Sequence, residues 1–135
     1  IIGMPDETRD LIFDTINFVR KLPDSIDATG AFIFAPYHGT PLRDLAIRKG
    51  YIKDEEICSL SNTSESMLRM PTITKNEIQG LAKTFSLYTK FPKERWPEIK
   101  IAERDDAEGN KMMDKLGKEF DSTYRQFAAG TDLHD

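Results

Sequence analysis

The sequence predicts an α/β chain, β-α-β-α over residues 1–52, followed by an all-helical C-terminal portion. Three observations predict it. Ile1 to Met4 and Ala28 to Ala35 are apolar runs of strand length. The second has no polar alternation between Ala31 and Ala35, the pattern of a strand covered on both faces of a parallel sheet. Between the two runs, Leu11, Ile12, Thr15, Ile16, Val19 and Leu22 recur at helical spacing, and beyond residue 52 only helical periodicity returns.

In chain order, Pro5-Asp6-Glu7-Thr8 opens the first helix, with Asp6 as the expected N-cap and acids in the first turn suiting the helix dipole. Arg9, Asp10, Asp14, Asn17, Arg20 and Lys21 fill its polar side, and Pro23 stops it. Strand, helix and strand at this spacing form a βαβ unit with a right-handed crossover. Thr40-Pro41 is an N-cap followed by the first helical position, and Gly50 suits the end of a helix over Pro41 to Lys49. Residues 53–73 are polar and irregular, with "SLSNTSES" an exposed connection. Thr74-Lys75-Asn76-Glu77 is a capping box, after which Ile78, Leu81, Ala82, Phe85 and Tyr88 follow at helical spacing. "KFPKERWPEIKIAER" carries two prolines, predicting a break near Pro92 and a kink or restart near Pro97, with Trp96 as a packing anchor between them. From about Asp106 a last helix shows Met113, Leu116, Phe120, Thr123, Tyr124 and Phe127, close to a heptad stripe. The tail from residue 129 is expected to fray.

Composition narrows the function classes. At 135 residues the chain is one domain's worth and buries about two-thirds of its unfolded surface. Charged residues make up 31%, above the globular norm, which suits solvated helices. A net charge of -4 and the lack of a basic stripe argue against nucleic acid and anionic membrane as partners. No run of about 18 apolar residues and no signal segment is present, so the expected location is cytoplasmic. The single Cys58 excludes an intramolecular disulfide and a cysteine-held metal cluster made by this chain alone. His38 and His134 lie far apart, with no metal-ligand spacing around either. No phosphate loop, dinucleotide fingerprint or nucleophile elbow occurs. Glu7 and Asp10 read as first-turn helix acids, and Asp105-Asp106 with Glu108 as a solvated charge run.

"IIGMPDETRDLIFDTINFVRKLP" followed by "FIFAPYHGTPLRDLAIRKGYI" resembles the last third of the partial (β/α) barrel of radical S-adenosylmethionine (SAM) enzymes. In that family a strand ends in an "IGLPGET"-like turn, and the next strand ends in a "PYPGTPL"-like loop, a helix and "KGYI". "MPTITKNEIQGLAKTFSLYTKFPKERWPEIKIAE" is similar to the helical tail of members with an upstream cobalamin-binding domain. The chain departs from the family in carrying Asp6 where Gly is usual. It also lacks the C-x-x-x-C-x-x-C cluster motif and the acidic motif that contacts the SAM amino group. The resemblance implies a truncated barrel end over 1–52, an irregular connection over 53–73, a helical extension over 74–128 and a frayed tail over 129–135. It further implies that the parent enzyme cleaves SAM reductively at a [4Fe-4S] cluster, for radical chemistry or methyl transfer. The cluster, and cobalamin where it is used, would be bound by segments outside this chain.

In parallel α/β folds, ligands sit at the carboxyl ends of the strands, where both motifs lie. The resemblance implies that Gly3, Met4 and Pro5 contact the adenosine part of SAM; the alternative is a tight strand-to-helix turn. Phe34, Ala35 and Pro36 offer an apolar wall and backbone groups to an adenine. Tyr37 and His38 are candidates for the substrate side or for ordinary loop surface, while Gly39 and Thr40 read as structural. By residue type His38 is a candidate general acid or base, but no partner carboxylate can be named from sequence.

Two buried-type strands do not make a sheet with two covered faces. We therefore expect further parallel strands upstream of Ile1-Ile2, which the resemblance implies are a barrel half preceded by a cobalamin-type domain, and we expect the segment alone to expose strand edges and form a homodimer. A non-catalytic helical docking module, built on residues from Thr74 onward, is the competing expectation.

Overall fold

A computed structural model of the chain describes residues 1–23, 25–26, 30–58 and 65–124. Five α-helices carry the architecture: α1 (Arg9–Val19), α2 (Pro41–Arg48), α3 (Lys75–Lys90), α4 (Trp96–Ala102) and α5 (Ala107–Tyr124), with a 3₁₀ turn at Lys93–Arg95 leading into α4. Ala28, Phe127, His134, residues 59–64 of the "SLSNTSES" stretch and the 129–135 tail lie outside the described residues.

The expected α/β class is overturned. Among the described residues there is no sheet, and the two strand-like runs meet in a single parallel bridge, Ile2 to Ile33. Two hydrogen bonds make it: Ile2 N donates to Phe32 O and Phe34 N donates to Ile2 O, each at 2.8 Å. Pairing stops on both sides for local reasons. Gly3 turns the first segment away at φ +81° and Pro36 has no N–H to donate. Nor is the second run covered on both faces, because Ile33 is 5% exposed while its neighbour Phe32 is 71% exposed. Helices, not further strands, bury the bridge.

Capping chemistry sets the helix limits. Thr8, not Asp6, is the N-cap of α1, its hydroxyl accepting from Leu11 N. Thr40 and Thr74 cap α2 and α3 as expected, accepting from Arg43 N and Glu77 N. Gly50, at φ +74°, follows α2 in the left-handed conformation that ends many helices. Pro92 lies just beyond α3, and Pro97 occupies the first turn of α4, where a missing N–H costs nothing. Asp106 accepts from Gly109 N at 2.8 Å and so caps α5, rather than merely facing solvent.

One core runs through α1, α3, α4 and α5. It joins Ile2, Ile12, Ile16 and Ile33 to Ile78, Leu81, Phe85, Tyr88, Ile99 and Leu116. Of the α5 stripe, Leu116 is fully buried and Met113, Phe120 and Tyr124 pack against the core, while Thr123 is exposed. Trp96 anchors α4 by edge contacts to Phe13 and Tyr88, with ring centroids 5.4 and 5.3 Å away. A smaller cluster of Ala46, Ile52 and Leu68, with Phe34 and Tyr51 against it, holds α2.

The tightest packing surrounds the turn between α4 and α5. A Cβ on Gly80 of α3 would stand 2.6 Å from Glu103 O, and one on Gly109 of α5 would stand 2.2 Å from Arg104 O. Both helices therefore approach that turn to backbone contact. At Gly117 a Cβ meets nothing within 4 Å. Urea unfolding should show Gly80→Ala and Gly109→Ala each destabilised by about 1–3 kcal/mol, overpacking outweighing the gain in helix propensity. Gly117→Ala, with propensity alone at work, should gain up to about 1 kcal/mol.

Candidate functional site

Because the bridge is parallel, the two segments run in the same direction at Ile2 and Ile33, after which Gly3 turns the first away and the second continues into the loop from Phe34 to His38. Each loop is then fixed by side chains that the sequence reading did not assign to it.

The Gly3–Pro5 turn is pinned from within. Glu7 accepts from Gly3 N at 2.6 Å and from Met4 N at 3.3 Å, so this acid shapes the turn rather than starting the helix. A Cβ on Gly3 would lie 3.2 Å from Ile78, a second reason for glycine there. Asp6 holds φ +63°, the left-handed region that an Asp tolerates better than most residues and a Gly adopts freely. Its carboxylate accepts a hydrogen bond from the Tyr51 hydroxyl and pairs with Lys49 Nζ at 2.5 Å. Lys49 first, then Tyr51, hold the Asp6 carboxyl below its usual range, and the same carboxylate raises both partners. The turn is thereby tied to the end of α2.

The second loop hangs on a buried arginine. Arg43, 2% exposed, donates Nη1 to Pro36 O at 3.0 Å, and Nη2 to Asp54 O and Glu56 O at 3.1 and 2.6 Å. Its signal in sequence was a charge at the apolar register of α2, three residues before the buried Ala46. Ala35 O accepts from Tyr37 N, and Thr40 donates its hydroxyl to Tyr37 O at 2.7 Å. Of the backbone groups offered to an adenine, Phe34 N and Pro36 O are therefore already used within the chain. Ala35 N and Phe34 O bond to none of the described residues.

Tyr37 is 41% exposed and His38 is exposed, with no acid in ion-pair reach of His38 among the described residues. Pro36 is fully buried. No group of three or more His, Cys, Asp or Glu among the described residues could hold a metal ion.

A separate cleft of about 950 Å³ lies between α3 and the α4–α5 turn. None of the residues from Gly3 to Pro5 or from Phe34 to His38 lines it. At its wall Arg9 donates Nη2 to both oxygens of Glu103, at 2.8 and 3.1 Å, and the buried Tyr88 hydroxyl donates to the same carboxylate at 2.8 Å. Burial, then the nearby Glu103 charge, raises the Tyr88 phenol well above its ordinary range.

No helix among the described residues is long and apolar enough to cross a membrane. No protein-family model, curated protein or solved structure matches the chain.

The turn that receives Arg43 is itself held by a paired carboxylate. Glu56 accepts from both Arg69 Nη atoms at 3.0 and 2.7 Å and from Lys53 N at 2.7 Å. Arg69, then the Lys53 amide, lower its pKa to about 2 from an ordinary 4.5. Since the folded value is depressed, this contribution is present above the unfolded value and is lost as pH falls from about 4.5 towards 2. Carbon-detected titration of the Glu56 carboxyl should find the low value in the native chain and a marked rise in Arg69→Met.

Proposed function

We propose that the chain is the carboxyl-terminal part of a radical SAM enzyme, contributing one side of the SAM and substrate site. The observation that carries the reading is the parallel bridge between Ile2 and Ile33, which joins the two segments that bear the family-like motifs immediately before those motifs. The usual glycine of the first motif falls at Asp6, where the backbone has the positive φ that a glycine would supply. This fits the reading and gives a physical reason for the motif.

The proposed division of labour follows from what each group has free. Met4 and Pro5 are partly exposed and offer apolar surface to an adenosine. Ala35 N and Phe34 O are the backbone donor and acceptor left for its polar edge. Tyr37 and His38 lie farther along the same loop, where substrate would be met. The [4Fe-4S] cluster, when bound with SAM, supplies the electron for reductive cleavage. One cysteine cannot supply its thiolates, so no electron-transfer step is assigned to this chain, and cobalamin is assigned no residue. The preceding barrel half and cobalamin-type domain remain part of the proposal as its partners.

A second reading, a helical docking module, draws support from α3, α4 and α5, which supply most of the main core. Titrating the isotope-labelled chain with SAM separates the two. The proposed function predicts weak binding that moves the amides of Met4, Ala35 and Tyr37, and loss of those shifts in Met4→Glu with the helical circular dichroism unchanged. If millimolar SAM moves none of them, the docking module is the better account.

A further inference from the structure

The cleft between α3 and the α4–α5 turn is lined by four acids, Glu77, Glu103, Asp105 and Asp106, and by four bases, Arg9, Lys83, Lys100 and Arg104, the last of them paired to Asp106 and Glu108. Most of its acids are used by the chain itself. Glu103 accepts from Arg9 and Tyr88, Asp106 from Arg104 and Gly109 N, and Glu77 from the Thr74 hydroxyl. Only Asp105 of the lining acids has no partner among the described residues. The bases keep donors in reserve. Arg9 commits Nη2 to Glu103, while its Nη1 stands 3.9 Å from Glu77, outside hydrogen-bond reach. Lys83 gives a single hydrogen bond, to Arg104 O at 3.0 Å. Lys100 lines the cleft and bonds to none of the described residues.

Arg9 and Lys83 are held in place by bonds within the chain, while Lys100 is exposed. Arg9 and Lys83 bond to consecutive residues, Arg9 to the Glu103 carboxylate and Lys83 to the Arg104 carbonyl. Lys100 lies about one helical turn before them on α4. Arg9 is further seated over the Phe13 ring, 5.1 Å from its centroid. Pro97 and Ile101 add an apolar edge.

We propose that this cleft is a binding site for a small organic anion. Its oxyanion group, a phosphate or a carboxylate, is held by Arg9, Lys83 and Lys100, and its body lies against Pro97 and Ile101. Two of the three heads are already oriented by bonds within the chain, so little ordering is needed on binding. The site is open to water, which makes the attraction modest and sensitive to salt. It shares no residue with the proposed SAM contacts and stands or falls separately from them.

Amide-detected titration of the full chain at low salt tests this with two matched pairs of probes: AMP against adenosine, and benzoate against benzamide. The site predicts that a charged member moves the amides of Gly80, Lys83, Ile101 and Arg104 while its neutral counterpart does not. A response to AMP alone assigns a phosphate, and a response to benzoate alone assigns a carboxylate. Lys83→Gln and Lys100→Ala, both altering cleft-side lysines rather than core residues, should each weaken binding about fivefold or more. Silence at these amides with both anions overturns the proposal, as does an affinity unchanged in both lysine variants.

Discussion

A carboxylate withdrawn from water organises the helical half of this protein. Glu103 sits just past α4 with its side chain 11% exposed, and a charge in that position needs partners. It finds Arg9 at the start of α1 and Tyr88 towards the end of α3. One acid therefore fixes the relative placement of three helices. The close approach depends on the two glycines, because only without side chains at 80 and 109 can α3 and α5 close on the turn that carries it. Removing one partner of such a pair strands the other, which is why buried pairs are costly to break even where they add little net stability.

The same logic, a cation satisfied by backbone, holds the remaining pieces to this frame. Arg20, just past α1, donates to Tyr88 O and Phe91 O at 2.8 and 2.7 Å, and so occupies carbonyls that the end of α3 leaves unbonded. Arg43 does the equivalent for the loop ahead of α2. Each arginine converts a local helix end into a long-range tie. The two candidate loops inherit their positions from these ties and from Asp6, not from a sheet.

What was legible in the sequence was local. Thr40-Pro41 and Thr74 to Glu77 announce helix starts because capping needs only neighbours along the chain, and the Met113 to Tyr124 stripe reveals its buried side by period alone. The fold class was not legible, because the apolar run at 31–35 carries no record of what will cover it. A strand between helices and an extended segment bridged at one residue read alike. Asp6 misled for a related reason: its type suits an N-cap, yet its backbone lies in the left-handed region and its carboxylate is drawn to Tyr51, 45 positions away. The Arg9–Glu103 pair spans 94 positions and leaves no spacing to detect. Of the candidate site, the motif segments were visible, whereas Glu7 and Arg43, which shape them, emerged only from the coordinates.

The placement of the helices depends most directly on the coupling of Arg9 to Glu103. A double-mutant cycle with Arg9→Met, Glu103→Gln and the combined variant, read by urea unfolding, measures it. The structure predicts that the double variant is less destabilised than the sum of the single ones by about 2 kcal/mol or more. Additivity within about 0.5 kcal/mol would mean that the two residues do not act as a pair, and that Glu103 is not the point on which the helices are fixed.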